Sequence, residues 1–211
     1  MLAGTQRWYV QYLKKNALLY LVVVGIFVAG ILLGSLGVRV LHEDQANQLT
    51  LYLNNFINQL QTFPVEVNSY AQEVVWSNLR FLGVIYFLGL TVIGIPVILL
   101  LLLTRGFLMG FAVGFLARDK AWQGIIFALS SVLPQNLINI PVLFVAGVSA
   151  VHFSLALVRG GFSNRGERML PYFIRYTALM AILALLTVGS GLIQAYISPV
   201  LMKTVVTYMK I

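Results

Sequence analysis

Residues 79–158 are almost entirely apolar, and this stretch limits the folds that are open to the chain. Their only charged side chains are those of Arg80, Arg105, Arg118, Asp119 and Lys120. A transmembrane helix needs about 20 consecutive apolar residues, whereas a surface helix of a soluble domain alternates apolar and polar positions. The stretch therefore predicts several helices that cross a membrane.

The composition of the whole chain supports the same class. Of its 211 residues, 60% are hydrophobic and 9% are charged, whereas soluble domains carry about 25% charged residues. We therefore expect an all-α, polytopic integral membrane protein with a single transmembrane domain over residues 1–211. The net charge of +8 comes from basic residues that flank apolar runs, which indicates membrane topology and not nucleic-acid binding. The absence of cysteine excludes disulfides and thiolate chemistry.

The apolar runs predict about five crossings of the membrane. The run at residues 16–38 is longer than the apolar region of a signal peptide, so we expect it to remain as an anchor. Arg105 is expected to end the second crossing, and residues 106–117 are too short to span the bilayer in the ordinary way. The predicted spans are 17–38, 81–103, a broken or re-entrant segment near residues 106–136, 137–158 and 172–197.

The basic residues predict a cytoplasmic N-terminus. With that orientation eight basic residues lie inside and six outside, as expected for cytoplasmic loops rich in Lys and Arg. The predicted parts outside the spans are a cytoplasmic head (1–16), an extracytoplasmic helical loop (39–78), a cytoplasmic basic loop (159–171) and an interfacial C-terminal segment (199–211).

The extracytoplasmic loop contains an amphipathic pattern. Leu49, Leu53, Phe56 and Leu60 recur at helical spacing opposite a face rich in Gln and Asn. This helix could lie on the outer membrane face, cover the helix bundle or dock an extracytoplasmic partner. Pro64 then predicts the start of a second helix that runs into the second span.

Glycines at every fourth position predict close helix packing. Gly106, Gly110 and Gly114 form one such series, and Gly30 with Gly34 forms another. Glycine strips let two helix backbones approach each other in a membrane. Packing within one chain and association of two chains in a homodimer both fit this pattern.

The segment around Pro134 is the most unusual polar element in the apolar stretch. Pro134 and Pro141 are expected to break the helix, and Gln135, Asn136 and Asn139 can bond the freed backbone groups. The segment is either a polar site at membrane depth or a corner that satisfies its own hydrogen bonds.

The sequence shows no catalytic constellation. All six acidic residues fall in predicted loops or corners, and no metalloprotease, serine-hydrolase or phosphate-loop motif is present. We therefore predict no enzyme activity, no catalytic residues, no metal site and no cofactor.

The order of these features resembles the stage II sporulation protein M family. The resemblance is carried by Gly-Phe-Leu-Met-Gly-Phe-Ala-Val-Gly-Phe-Leu (106–116), Ser-Val-Leu-Pro-Gln-Asn (131–136), Ile-Pro (140–141) and Ala-Tyr-Ile-Ser-Pro (195–199). It extends over essentially the whole chain.

This resemblance implies a non-enzymatic scaffold in the mother-cell septal membrane of an endospore-forming bacterium. The scaffold would recruit stage II sporulation protein P, an amidase, and stage II sporulation protein D, a lytic transglycosylase, for peptidoglycan remodelling during forespore engulfment. Leu49, Leu53, Phe56 and Leu60 would serve docking, and Gly106, Gly110 and Gly114 helix association. The alternative is a small-solute transporter or permease subunit whose path is lined by Pro134, Gln135 and Asn136.

Overall fold

The computed structural model describes residues 17–62, 67–160 and 169–209, and these are helical almost throughout. Helix α1 covers Ala17–Gly37 and leads into a short 3-10 turn, Val38–Val40. Four further helices follow: α2 (Glu43–Thr62), α3 (Val67–Gly89), α4 (Gly94–Gly160) and α5 (Met169–Met209). The prediction of an all-α chain is confirmed for the residues that the structure describes.

Three of the described helical segments are long and apolar enough to cross a membrane. They are Ala17–Val40, Gly94–Val158 and Leu170–Tyr208. The first matches the span predicted at 17–38, and together the three support a membrane protein.

Helix α4 contains a sharp reversal at Ala121. The helix has 67 residues, which would extend about 100 Å if straight, far beyond a bilayer of about 40–45 Å. Ala121 has φ 50° and ψ −128°, and it is the one non-helical residue inside α4. Beyond it Gly124 packs on Leu116 and Gly147 packs on Leu102, so the two parts run antiparallel. We call residues 94–120 the first arm, residues 122–160 the second arm and Ala121 the elbow.

The predicted span at 81–103 is wrong, because a turn of apolar residues divides it. Helix α3 ends at Gly89, and the amides of Leu90 and Thr91 donate to the carbonyls of Phe87 and Leu88 at 3.1 and 3.0 Å. The Ser154 hydroxyl of the second arm donates to the Thr91 carbonyl at 2.8 Å and fastens the turn. Hydropathy could not reveal this turn, since its residues are as apolar as the helices on either side. The sequence signal for it is Gly-Ile-Pro (94–96), which predicts a break in the apolar stretch and lies at the start of α4.

The predicted helix break at Pro134 is also wrong. Pro134 and Pro141 both lie inside the helical second arm, and the break in the 106–136 segment is at the elbow. The Asn136 side-chain amide donates to the Val132 carbonyl at 2.7 Å, and the Ser190 hydroxyl of α5 donates to the Gln135 carbonyl at 2.8 Å. Such side-chain bonds satisfy backbone groups near a proline, so the helix continues. Helix α5 likewise passes through Pro199 without ending.

The helices form a bundle with two distinct ends. Contacts of Gly106 with Phe27 and of Gly114 with Ser35 show that α1 and the first arm run parallel. Contacts of Gly89 with Tyr176 and of Gly191 with Val75 show that α3 and α5 run antiparallel. We call the end with residues 90–93 the turn end and the end with Ala121 the elbow end.

Two apolar clusters form the core. The larger lies from the turn end to the middle of the bundle and includes the fully buried Ile85, Ile98 and Leu102. The stacked rings of Phe153 and Tyr176, 4.7 Å apart, close it at the turn end. The smaller lies at the elbow end, where Ile57 of α2 meets Phe127 and Val206.

Candidate functional site

A polar cavity of about 450 Å³ lies within the bundle. Its walls come from α3, from both arms of α4 and from Gln194 of α5, and Phe27 of α1 also contributes. Buried side chains such as Val74 and Leu143 form its inner wall, while Glu73, Ser77 and Leu108 on its rim are exposed. The cavity therefore opens sideways between α3 and the first arm.

Arg105 is the cationic group of this cavity. The sequence prediction that Arg105 ends a span is wrong, because it lies well inside the first arm, beside Gly106, which faces Phe27 in the middle of α1. Its guanidinium carbon lies 4.0 Å from the centroid of the Phe81 ring, a cation–π contact. Among the described residues no carboxylate lies within 4.0 Å of its nitrogens.

An arginine at this position raises the free energy of inserting the helix into a membrane. Placing Arg at the centre of a spanning helix costs about 2.5–3.5 kcal/mol on insertion scales, and such residues normally face a cavity or a partner. Arg105 is half-buried and lines the polar cavity, which accounts for its tolerance. By the same rule an ionisable residue at this depth makes the cavity around it a candidate functional site.

Side-chain amides supply most of the remaining polarity. Asn78 donates to the Gln194 side-chain oxygen at 3.4 Å, which leaves the Gln194 amide nitrogen as a donor. The Gln135 side-chain oxygen is buried and has no hydrogen-bond partner. The cavity thus offers a cation, amide donors and an unused acceptor, an arrangement that can hold an anionic group carrying further hydrogen-bonding atoms.

The predicted polar site around Pro134 lies partly in this cavity. Gln135, Asn136 and Asn139 line it, whereas Pro134 does not. Sequence reasoning missed Arg105, Asn78 and Gln194, which come from three different helices. The signal that could have pointed to Arg105 is its position eleven residues after Gly94, too deep in the apolar run for a helix end.

The glycine series faces another helix of the same chain. A Cβ on Gly110 would lie 2.7 Å from the Ile31 carbonyl carbon, and one on Gly114 would lie 3.1 Å from the Ser35 Cα. Gly106 meets the Phe27 carbonyl in the same way, and Gly30 and Gly34 face the first arm in return. Of the two interpretations of this pattern, the structure displays packing within one chain.

Hydrogen bonds at the elbow end hold α1 and α2 to α4. Arg118 donates to the Val38 carbonyl at 2.8 Å, which satisfies a group at the end of α1. The Thr50 hydroxyl of α2 donates to Asp119 at 2.7 Å, and Lys120 lies 3.7 Å from the other oxygen of that carboxylate.

The predicted docking stripe on α2 is divided between two environments. Leu53 packs against the elbow-end cluster and Leu49 is half-buried, so both face the bundle. Phe56 is 44% exposed, next to a face on which Tyr52 is 74% exposed. The side chain of Leu60 lies outside the described residues.

One comparison with known proteins identifies a family. The model of the family described as stage II sporulation protein M matches residues 23–199, which include most of α1, all of α2 to α4 and most of α5. No curated protein and no solved structure matches the chain. The matched segment contains the glycine series, the Pro134 segment and every residue named above as lining the polar cavity. Since this match spans well over half of its length, the chain belongs to the stage II sporulation protein M family.

Proposed function

We propose that this chain is a non-enzymatic membrane scaffold for peptidoglycan remodelling in sporulation. It would recruit the amidase and the lytic transglycosylase, stage II sporulation proteins P and D, to the septal membrane on the mother-cell side during engulfment. Membership of the family supports a sporulation-related membrane protein, and the family is not known as one of enzymes.

The exposed face of α2 is the observation on which the docking role depends. Thr50 and Ile57 attach α2 to the elbow end, and the opposite side presents Leu51, Tyr52 and Phe56 to the surroundings. Aromatic residues of this kind supply large contact area in protein interfaces. A partner would thus meet a helix that is already positioned by the bundle.

The proposed topology places that face outside the cytoplasm. Helices α1, α3 and α5 and the two arms of α4 would each cross once, which gives five crossings and puts the N-terminus at the turn end. Arg80 and Arg105 lie near the middle of α3 and of the first arm and count for neither side. Of the other twelve basic residues, seven belong to the turn-end side and five to the elbow end. The excess of basic residues favours a cytoplasmic turn end.

A pull-down from sporulating cells tests the docking role. The chain carrying Phe56→Asp and Leu60→Asp should insert normally but lose both wall enzymes, because a charge disrupts an apolar interface. The matched control is Asn55→Asp, which adds a charge at an exposed polar position of the same helix. Undiminished recovery of both enzymes with the double variant would contradict the proposal, as would digestion of peptidoglycan by the purified chain alone.

The polar cavity favours one second candidate, a small-solute transporter. Gln135 and Asn136 line a cavity large enough for a small solute, as a transport path would require. Flux into liposomes that contain the chain, abolished by Asn136→Leu, would establish this candidate. Absence of flux for a panel of anionic and neutral solutes would leave the scaffold as the better account.

A further inference from the structure

We propose that the polar cavity is a binding site for a phosphate group, and that a membrane phospholipid supplies it. The inference is independent of the scaffold role, because it depends on the cavity and not on α2.

The first argument is the unmatched charge of Arg105. Its guanidinium lines the cavity and contacts the Phe81 ring. None of the described residues places a carboxylate within ion-pair distance of it. A planar guanidinium matches the oxygens of a phosphate with two parallel hydrogen bonds. An anion that enters the cavity would supply the ion-pair partner that the described residues do not.

The second argument is the set of neutral groups around that charge. The Gln194 amide nitrogen, which the bond from Asn78 does not use, can donate to a phosphate oxygen, and the buried Gln135 oxygen can accept from a hydroxyl or ammonium group. Glu73 on the rim repels a bare anion and attracts the ammonium group of a zwitterionic headgroup. A phosphodiester whose headgroup carries hydroxyl or ammonium hydrogens matches all three features.

The third argument is the direction of the opening. The rim is formed by Ser77 of α3 and by the exposed Leu108 and Ala112 of the first arm. Leu108 and Ala112 lie in the apolar run of the first arm, so that side of the mouth faces lipid in a membrane-spanning bundle. The α3 side of the mouth, with the exposed Glu73, is polar. A phospholipid can place its headgroup in the cavity and keep its acyl chains against Leu108, whereas a free ion would have to cross lipid first.

Native mass spectrometry of the full chain tests the site. The probes are phosphatidylethanolamine, diacylglycerol with the same acyl chains, and inorganic phosphate. We expect the chain to retain phosphatidylethanolamine, to release diacylglycerol and to keep its lipid in millimolar phosphate. Equal retention of both lipids would overturn a phosphate site, and binding of phosphate with no retained phospholipid would overturn the lipid assignment.

Variants connect the retained lipid to Arg105. Arg105→Gln should lower phospholipid retention about ten- to hundredfold, which is the loss of one charge-assisted hydrogen-bonded contact. Phospholipid retention by Arg105→Lys should lie between that of the original chain and that of Arg105→Gln. Lysine keeps the positive charge but cannot form the two parallel hydrogen bonds of a guanidinium. The matched control is Arg80→Gln, since Arg80 is an exposed arginine of α3 that lies 5.8 Å from the Trp76 ring and outside the cavity.

Failure to fold does not threaten this test. Replacement of an intramembrane arginine by glutamine lowers the cost of insertion, so the Arg105→Gln chain should assemble at least as well as the original. Asn139→Leu provides a second, uncharged change in the part of the cavity lining that the second arm supplies, and it should also lower retention. Retention unchanged in Arg105→Gln and Asn139→Leu, or lowered equally by Arg80→Gln, would overturn the proposal.

Discussion

Replacement of Gly110 should separate α1 from the first arm of α4. An alanine Cβ at this position would lie 2.7 Å from the carbonyl carbon and 2.8 Å from the Cα of Ile31, and closer still to the carbonyl oxygen. Carbon atoms in contact normally lie about 3.5–4.0 Å apart, so the two backbones must separate by about 1 Å. The obstacle is backbone, which cannot rotate away as a side chain would.

The magnitude follows from two opposing effects. Overpacking of a close contact costs about 1–3 kcal/mol, and alanine restores about 1 kcal/mol of helix propensity relative to glycine. We therefore expect Gly110→Ala to lower the free energy of unfolding by about 1 kcal/mol. Gly110→Leu should lower it by about 3 kcal/mol, since its larger side chain prevents the approach altogether and gains nothing in a lipid-like solvent.

Gly25 provides the matched control. It lies on α1, and a Cβ there would meet no atom within 4 Å. Gly25→Ala and Gly25→Leu should therefore leave the free energy of unfolding unchanged or raise it slightly. The assay is unfolding of the purified chain by SDS in mixed micelles, with the helix content of the chain as the measured quantity. Equal midpoints for Gly110→Leu and Gly25→Leu would refute the reasoning.

Three further predictions concern the two ends of the bundle. Thr50→Val removes the bond to Asp119 and should speed amide hydrogen exchange in α2, while exchange in α3 stays unchanged. Ala121→Gly should raise the free energy of unfolding by about 1 kcal/mol and Ala121→Val should lower it, because a positive φ suits glycine and strains a branched residue; SDS titration measures both. A single cysteine at Asn55 should react with an impermeant maleimide from the outside of cells and one at Ile93 should not; labelling of both from one side would contradict five crossings.

The parts of the fold that sequence predicted well are those with a local signal. The apolar run of α1 has the length of one span, and the helical spacing from Leu49 to Phe56 lies on one helix, α2. Both patterns depend only on near neighbours along the chain. For that reason the two predictions do not depend on how the other helices pack.

The parts that sequence missed depend on residues far apart in the chain. Pro134 was expected to end a helix, yet Ser190, more than fifty residues later, bonds the carbonyl of the next residue. Arg105 is predicted at a helix end, because no residue near it in sequence would stabilise a charge inside an apolar run. The charge is instead accommodated by a cavity to which Asn78 and Gln194 contribute. These two residues are far from Arg105 in sequence, so no periodic pattern could connect them.

The glycine faces bear directly on how two copies of this chain could associate. Gly30 and Gly34 already contact the first arm, and Gly106 and Gly110 already contact α1. A homodimer formed through these glycines would have to replace a contact that each chain makes within itself, and no new apolar burial would compensate in lipid. Association of copies should therefore use a surface other than these glycine faces. Energy transfer between differently labelled chains in liposomes should therefore be as efficient for Gly110→Ala as for the original chain. Loss of energy transfer in Gly110→Ala would show that two copies associate through the glycine faces and would contradict this reasoning.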